Sequence, residues 1–294
     1  MPISSAYQQI EEAIRLWAHL QTDVSFVLVV GSRARSEPPP DDWSDLDLIV
    51  YTESPERYTS DSGWLDNFGP VWMANLGQTG CGDPEWQVIY DGGLKVDFVL
   101  ASTLDTGDKQ ALPRLINESP YRFVFQRGLR VLFDRQGSVE PVREAFRLAP
   151  AWTAPSEKEF NANIQSLFLS AMRTARLLKR GELWQAHQHF NCSLKDLLIS
   201  MLEWHARSIH RPEKDTWYSG RYLSEWADPR AVAAIPATSA PYDESDQWRA
   251  LISSLELYRW LAREVAMALA YTYPEHLDRQ LSGWIRSVQP NEHG

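Results

Sequence analysis

The sequence SFVLVVGSRARSEPPPDDWSDLDLIVY occupies residues 25–51, and its pattern indicates the fold class of this chain. Its first part, residues 25–31, is a short apolar run rich in valine that ends at a glycine, which is typical of a buried strand. Three consecutive prolines follow and predict a loop. Residues 45–51 alternate carboxylates with leucine and then become wholly apolar, which predicts a second strand. The segment therefore predicts two strands joined by a long loop.

The sequence around this segment extends the prediction to an α/β domain. Apolar residues recur at helical spacing in residues 4–20 and predict an amphipathic helix. The sequence Asp91-Gly92-Gly93 is a strong turn signal for a hairpin. Three further strands are predicted, over residues 70–75, 85–91 and 94–100. We therefore expect a sheet with mixed rather than all-parallel pairing.

The spacing of apolar residues changes near residue 150. Apolar residues then recur every three or four positions over residues 165–182, 189–210 and 247–274, which predicts helices. Ser156 and Glu159 have the spacing of a capping box at the start of the first of these helices. We therefore predict an α+β protein. In it, residues 1–150 form a mixed β-sheet domain with flanking helices, residues 151–294 form an all-α helical bundle, and the boundary lies near residues 148–156.

The composition indicates a globular protein and argues against a disulfide-rich, secreted or membrane protein. The chain has 294 residues, of which 44% are hydrophobic and 23% charged, so it can bury a sizeable core. Its two cysteines, Cys81 and Cys192, argue against a disulfide scaffold and a thiolate metal site. Its N-terminus lacks the pattern of a signal peptide, and its apolar runs are too short to span a bilayer. A cytoplasmic protein with no membrane partner is the expectation.

The negative charge of the chain is concentrated in its first third. Residues 1–100 contain 16 acidic and 5 basic side chains, a formal charge of −11, whereas the whole chain has −10. A nucleic-acid-binding face requires the opposite sign, because phosphate contacts supply most of that affinity. A concentrated negative field instead suits divalent cations or a polycationic small molecule. An acidic surface that only aids solubility is the simpler alternative.

Three aspartates form the candidate chemical centre. Side chains at positions i and i+2 of a strand point to the same side, so Asp45 and Asp47 are predicted to lie together. Asp97 shares one face of its strand with Lys95 and joins the pair if the two strands are neighbours. Close carboxylates repel each other unless a cation lies between them, and Mg²⁺ prefers such oxygen ligands together with phosphates. The pattern therefore predicts a site for magnesium ions.

A phosphate-binding turn is predicted beside these carboxylates. Gly31 at the end of a strand permits close approach of an anion, and the following N–H groups with the Ser32 hydroxyl can bind phosphate oxygens. Arg33 can add charge-assisted hydrogen bonds. Together these groups are suited to a nucleoside triphosphate bound as its Mg²⁺ complex and to in-line attack at phosphorus.

The quoted motifs resemble a known family. GSRARSEPPPDDWSDLDLIVY and GLKVDFVL are similar to the nucleotidyltransferase signature of the aminoglycoside 6-adenylyltransferases, or streptomycin adenylyltransferases, and downstream segments such as LLISMLEWH resemble that family's helical domain. The resemblance covers nearly the whole chain. It implies the nucleotidyltransferase fold, ATP as donor, two Mg²⁺ ions and transfer of AMP to an aminoglycoside hydroxyl, an activity that confers antibiotic resistance.

The resemblance also implies roles for individual residues. Asp45 and Asp47 would be metal ligands, and Asp97 either a further ligand or the base that deprotonates the acceptor. Gly31, Ser32 and Arg33 would contact the triphosphate. A cation from the helical domain would assist them, for which the candidates are Arg221, Lys195 and Lys214. We expect a monomer or weak dimer.

One departure from the family pattern bears on the acceptor. Gln188 stands where the family carries an aspartate before His189, which weakens the expected recognition of a cationic acceptor. Two alternatives to a streptomycin-modifying enzyme stay open, and Gln188 favours the first of them. One is a nucleotidyltransferase that acts on another small-molecule hydroxyl or on a protein hydroxyl, and the other is a nucleotide-binding homologue that has lost catalysis.

Overall fold

The structure is a computed structural model, and it describes residues 3–35, 39–103, 121–125, 128–135, 152–210, 215–216 and 218–290. The chain divides into two compact units, Met1–Pro150 and Ala151–Gly294. The predicted boundary near residues 148–156 lies in part outside the described residues. Each unit has a hydrophobic core of its own.

The N-terminal unit is built on a mixed six-stranded sheet with the strand order β3-β4-β5-β2-β1-β6. The pairing of β2 with β5 is parallel, and the other four pairings are antiparallel. The mixed sheet confirms the predicted fold class. Its elements are α1 (Ile3–Leu20), β1 (Val24–Val30), β2 (Leu46–Thr52), α2 (Pro55–Thr59), β3 (Val71–Gln78), β4 (Pro84–Tyr90), β5 (Leu94–Ser102), α3 (Arg122–Phe125) and β6 (Arg130–Asp134).

The predicted strands agree with the observed ones, with small differences at their ends. The turn at Asp91-Gly92-Gly93 joins β4 to β5 as predicted, and both glycines have positive φ. Asp45 lies one residue before β2 rather than inside it. Strand β6 was not predicted, and it pairs with β1 at one edge of the sheet.

Both faces of this sheet carry buried apolar side chains. Helix α1 packs Ile14 and Trp17 against one face, where Leu46, Leu48 and Phe98 of the central strands are buried. These apolar side chains alternate along β2 and β5 with the residues that point to the other side. Burial of the leucines therefore directs the side chains of the intervening residues to one common face.

The C-terminal unit is helical, as predicted. A capping box at Ser156 and Glu159 begins its first long helix. Single π-helical turns at Phe190–Leu194 and Ala206–His210 follow α5 and α6, so the predicted helix at 189–210 is not uniformly α-helical. Its α-helices are α4 (Glu157–Lys179), α5 (Leu183–His189), α6 (Lys195–His205), α7 (Leu223–Trp226), α8 (Pro229–Ala234), α9 (Glu244–Leu269) and α10 (Glu275–Val288). The sequence analysis predicted no helix for α7, α8 or α10, and α5 lies between two predicted helices.

A buried ion pair joins the last two helices of this unit. Arg259 of α9 donates to both carboxylate oxygens of Asp278 in α10, at 2.5 and 2.9 Å. Ser282 donates to the same carboxylate at 2.8 Å. Burial alone would raise the pKa of Asp278, but the hydrogen bonds from Arg259 and Ser282 lower it below its ordinary value. The pair therefore holds Asp278 in its charged form inside the helical unit.

No helix among the described residues is long and apolar enough to cross a membrane. Helix α9, the longest of these, carries the charged residues Arg249, Glu256 and Arg263 on its exposed side.

Candidate functional site

The three predicted aspartates come together at one place on the sheet. Asp47 of β2 is the direct partner of Asp97 in the parallel register with β5, and Asp45 lies two residues before Asp47. One carboxylate oxygen from each lies within 4.8 Å of the other two. No other group of three potential metal ligands is found in the part of the chain that the structure describes. The parallel pairing is what creates this cluster, because it aligns the two strands at these residues.

The electrostatics of the cluster favour a bound cation. Burial, followed by repulsion from Asp45 and Asp97, raises the pKa of Asp47 to about 7. Burial also raises the pKa of Asp97, which is 8% exposed. The Oδ1 atom of Asp97 is buried and has no hydrogen-bond partner. Clustered carboxylates with an unpartnered oxygen are a suitable ligand set for Mg²⁺, so the residues present fit this ion.

Lys95 is a member of the site to which the sequence analysis gave no role. Its Nζ atom donates to Asp97 Oδ2 at 2.6 Å and lies 3.3 Å from Asp45 Oδ2. Burial opposes the charge on this amine, but the hydrogen bond and attraction from Asp97 and then Asp45 raise the pKa of Lys95. The i, i+2 spacing of Lys95 and Asp97 on β5 was the sequence signal for this contact.

The turn after β1 lies directly against the carboxylates. Gly31–Ala34 form a 3₁₀ turn, in which Gly31 has a φ of +66° and Ser32 is buried. A Cβ atom on Gly31 would lie 2.1 Å from Asp47 Oδ2, which is far closer than any non-bonded contact allows. Only glycine therefore permits this turn to lie beside Asp47, and the structure brings Gly31 and Ser32 to the predicted site.

Replacement of Gly31 by alanine tests this close approach. We expect Gly31→Ala to lower the free energy of unfolding by about 3 kcal/mol, because the new methyl group adds a clash to the cost of a left-handed backbone. Gly92→Ala is the matched control, since Gly92 has a φ of +81° and open space around its Cβ position. It should cost only about 1 kcal/mol. If urea unfolding shows the same loss in the free energy of unfolding for both variants, the close approach of Gly31 to Asp47 is contradicted.

Arg33 fixes the end of the loop that leads to Asp45. Its guanidinium group donates from Nε and Nη2 to the carbonyl oxygen of Ser44, at 3.0 and 2.7 Å. Its Cζ atom lies 3.7 Å from the centroid of the Tyr7 ring on α1. Arg33 therefore holds the backbone next to a candidate ligand, and its contact with a phosphate stays a prediction.

Glu85 adds a further carboxylate on β4 that the sequence analysis missed. The antiparallel register places Glu85 opposite Val99 and Gln87 opposite Asp97, so both side chains share the face of the aspartates. Burial, and then repulsion from Asp97, raises the pKa of Glu85. The negative face of the sheet therefore extends from the aspartate cluster onto β4.

The basic side chains of the helical unit that were predicted to assist triphosphate binding differ in burial and in hydrogen-bond partners. The Nζ atom of Lys195 contacts the Thr238 Oγ1 atom at 2.6 Å and the Thr238 carbonyl oxygen, and burial lowers the pKa of Lys195 to about 8. Arg221 is exposed, and its guanidinium group donates from Nη2 to the Tyr222 hydroxyl at 3.4 Å. Lys214 lies outside the described residues. Which of these groups contacts a triphosphate stays a prediction.

Known proteins are similar in sequence to this chain over nearly its whole length. A family model described as Streptomycin adenylyltransferase matches residues 5–288. An aminoglycoside 6-adenylyltransferase of Bacillus subtilis is 24% identical over 266 residues, which cover 86% of this chain and 87% of the relative. A protein of the same name from Campylobacter jejuni is 22% identical over 285 residues, 95% of this chain and 94% of the relative. A crystal structure of an aminoglycoside 6-adenyltransferase from Bacillus subtilis covers 95% of this chain and 98% of its own, with 16% identity and a TM-score of 0.44.

Proposed function

Because this chain belongs to the streptomycin adenylyltransferase family, we propose that it transfers AMP from ATP to a hydroxyl group of streptomycin. Membership in the family makes it a nucleotidyltransferase that adenylylates aminoglycosides. The choice of streptomycin is our proposal. The observation that carries the mechanism is the convergence of three carboxylate oxygens within 4.8 Å, beside the turn at Gly31.

We propose that Asp45, Asp47 and Asp97 hold two magnesium ions. Bound there, the ions would neutralise the leaving pyrophosphate and lower the pKa of the acceptor hydroxyl. The Oδ1 atom of Asp97 has no hydrogen-bond partner, which suits either a metal ligand or a base that receives the hydroxyl proton. The chain would therefore contribute mainly position and negative charge.

The turn after β1 is proposed to hold the triphosphate. The N–H groups that follow Gly31 and the Ser32 hydroxyl are hydrogen-bond donors for phosphate oxygens. With the triphosphate fixed, the acceptor oxygen forms a bond to the α-phosphorus, the bond from this phosphorus to the bridging oxygen of the β-phosphate breaks, and pyrophosphate leaves. Arg33 keeps the neighbouring loop in place through Ser44. Positioning of this kind accounts for a large share of the catalysis of phosphoryl transfer.

Residues 1–150 are proposed as the catalytic domain and residues 151–294 as the acceptor-binding domain. The formal charge of −11 in residues 1–100 supports a cationic acceptor and argues against a nucleic acid. We propose that the protein acts as a monomer or weak dimer in the cytoplasm, where ATP and Mg²⁺ are available.

The test of this function is a transfer assay read by mass spectrometry. The protein is incubated with ATP, Mg²⁺ and streptomycin, and we expect streptomycin that carries one added AMP, together with pyrophosphate. Omission of Mg²⁺ with EDTA present should abolish the product. Absence of the adduct on streptomycin, under conditions in which pyrophosphate is released with another acceptor, would contradict the proposed substrate.

Gln188 favours the alternative in which the acceptor is a molecule other than streptomycin. It is exposed and uncharged at the position where the family pattern has an aspartate. A parallel assay with other aminoglycosides, a lincosamide and a protein acceptor would identify such a substrate.

An inactive nucleotide-binding homologue is the other alternative, and it does not explain why three carboxylates converge. In calorimetry such a protein would bind ATP equally well with and without Mg²⁺.

A further inference from the structure

We propose that Lys95 is a built-in counter-ion of the carboxylate cluster and that a divalent cation must displace its ammonium group in order to bind. This inference rests on the metal site of the proposed function. It adds a residue that determines how tightly the site binds an ion. The Nζ atom of Lys95 contacts Asp97 Oδ2 at 2.6 Å and Asp45 Oδ2 at 3.3 Å. Two of the three carboxylates are therefore already engaged by one positive charge.

The charges around the cluster explain why a counter-ion is present. Asp45, Asp47 and Asp97 each bring one carboxylate oxygen within 4.8 Å of the other two, and the register places Glu85 on the same face of the sheet. Lys95 brings a positive charge into contact with two of these carboxylates. Carboxylates this close destabilise the folded chain unless a cation compensates them. The ammonium group supplies that compensation before any ion arrives.

The geometry also permits Lys95 to leave. Its side chain is 43% exposed, so its flexible stem can turn into solvent. Its backbone is held separately, because the Lys95 N–H donates to the Tyr7 hydroxyl at 3.1 Å and this hydroxyl donates to the Lys95 carbonyl at 3.2 Å. A change of rotamer therefore releases the carboxylates without disturbing β5.

One carboxylate oxygen of Asp97 has no hydrogen-bond partner while Lys95 is in place. Asp97 uses Oδ2 for the ammonium, and its Oδ1 atom has no partner. An incoming ion competes with Lys95 for Asp45 and for one oxygen of Asp97. Competition of this kind weakens binding of the free ion. An ion that arrives with nucleotide phosphates is less affected, because the phosphates supply further oxygen ligands.

The test is Mn²⁺ binding without nucleotide, measured from the electron paramagnetic resonance signal of free Mn²⁺. We expect Lys95→Met to bind Mn²⁺ at least about tenfold more tightly than the original chain, because a competing positive charge is removed. Lys95→Arg keeps a cation between the carboxylates and should stay within about threefold of the original affinity. Thermal unfolding gives a second readout, in which the rise of Tm on addition of Mn²⁺ should be larger for Lys95→Met.

The outcomes separate this inference from the proposed function. Unchanged or weaker Mn²⁺ binding by Lys95→Met, with binding by the original chain intact, overturns the role of Lys95 alone. Absence of Mn²⁺ binding to the original chain, both with and without ATP, overturns the metal site and the inference with it. Lys95→Gln serves as a second neutral variant if Lys95→Met does not fold, and the same tenfold gain is expected of it.

Discussion

Asp47→Asn is expected to lower the rate of AMP transfer by at least about a thousandfold, equivalent to roughly 4 kcal/mol of transition-state stabilisation. Asp47 lies at the centre of the cluster, with Asp97 as its register partner on β5 and Asp45 two residues away. An amide at this position removes one of the charges that hold the ions, while its shape is almost unchanged. The measurement is product formation by mass spectrometry, with ATP and Mg²⁺ at saturating concentrations.

The stability of this variant distinguishes loss of function from loss of fold. In EDTA the Tm of Asp47→Asn should be equal to or higher than that of the original chain, because repulsion from Asp45 and Asp97 is relieved. Asp66→Asn is the matched control, since Asp66 is exposed on the same unit, and it should change neither the rate nor the Tm. Full activity of Asp47→Asn would refute the assignment of the metal site.

Asp278→Ala is expected to lower the free energy of unfolding of the helical unit by about 3 kcal/mol. The carboxylate of Asp278 is buried and accepts hydrogen bonds from Arg259 and Ser282, so its removal leaves a largely buried guanidinium group without its anionic partner. Urea unfolding, followed by tryptophan fluorescence, measures the loss.

An exposed ion pair between the same two helices provides the control. Arg286 contacts Glu256 at 2.7 Å, and both side chains are more than half exposed. Glu256→Ala should therefore change the free energy of unfolding by less than about 1 kcal/mol. If Asp278→Ala and Glu256→Ala lower the free energy of unfolding equally, burial does not determine how much an ion pair contributes to stability.

The contribution of Asp278 also has a defined pH dependence. Its pKa in the folded chain is below the ordinary value, so its charged form stabilises the fold at any pH above about 4, the pKa in the unfolded chain. This contribution is lost as the pH falls through the lower, folded pKa. The difference in stability between Asp278→Ala and the original chain should therefore shrink in acid. If the difference in the free energy of unfolding stays constant down to pH 3, the stabilising role of the charged Asp278 carboxylate is contradicted.

The central strands and the three carboxylates were predictable because their signals are local. Alternation in residues 45–51 and 94–100 fixes which side chains share a face, and the hairpin turn fixes the pairing of β4 with β5. The parallel pairing of β2 with β5 could only be assumed, since it joins residues far apart in the sequence. That one long-range contact decides whether Asp97 reaches Asp47.

Other features were missed for identifiable physical reasons. Strand β6 contains only five residues, and it becomes a strand by pairing with β1 rather than through a clear alternation of its own. Helix α10 has a regular apolar stripe that the sequence analysis left unassigned, with Ile285 fully buried. Lys95 was placed on the face of Asp97, but only the register shows that it also reaches Asp45. Arg33 was assigned to phosphate from its position beside Gly31 and from the family resemblance, and this role stays a prediction. Its bonds to Ser44 could not be predicted, because they depend on the path of the loop.

The order of the strands along the chain has a practical consequence. The turn between β3 and β4 divides the N-terminal unit so that Asp45 and Asp47 lie before it and Asp97 lies after it. A polypeptide cut at this turn therefore has no complete ligand set on either piece. Enzymatic turnover by the two co-expressed halves would report their reassociation, which makes this position a natural site for a split-protein sensor.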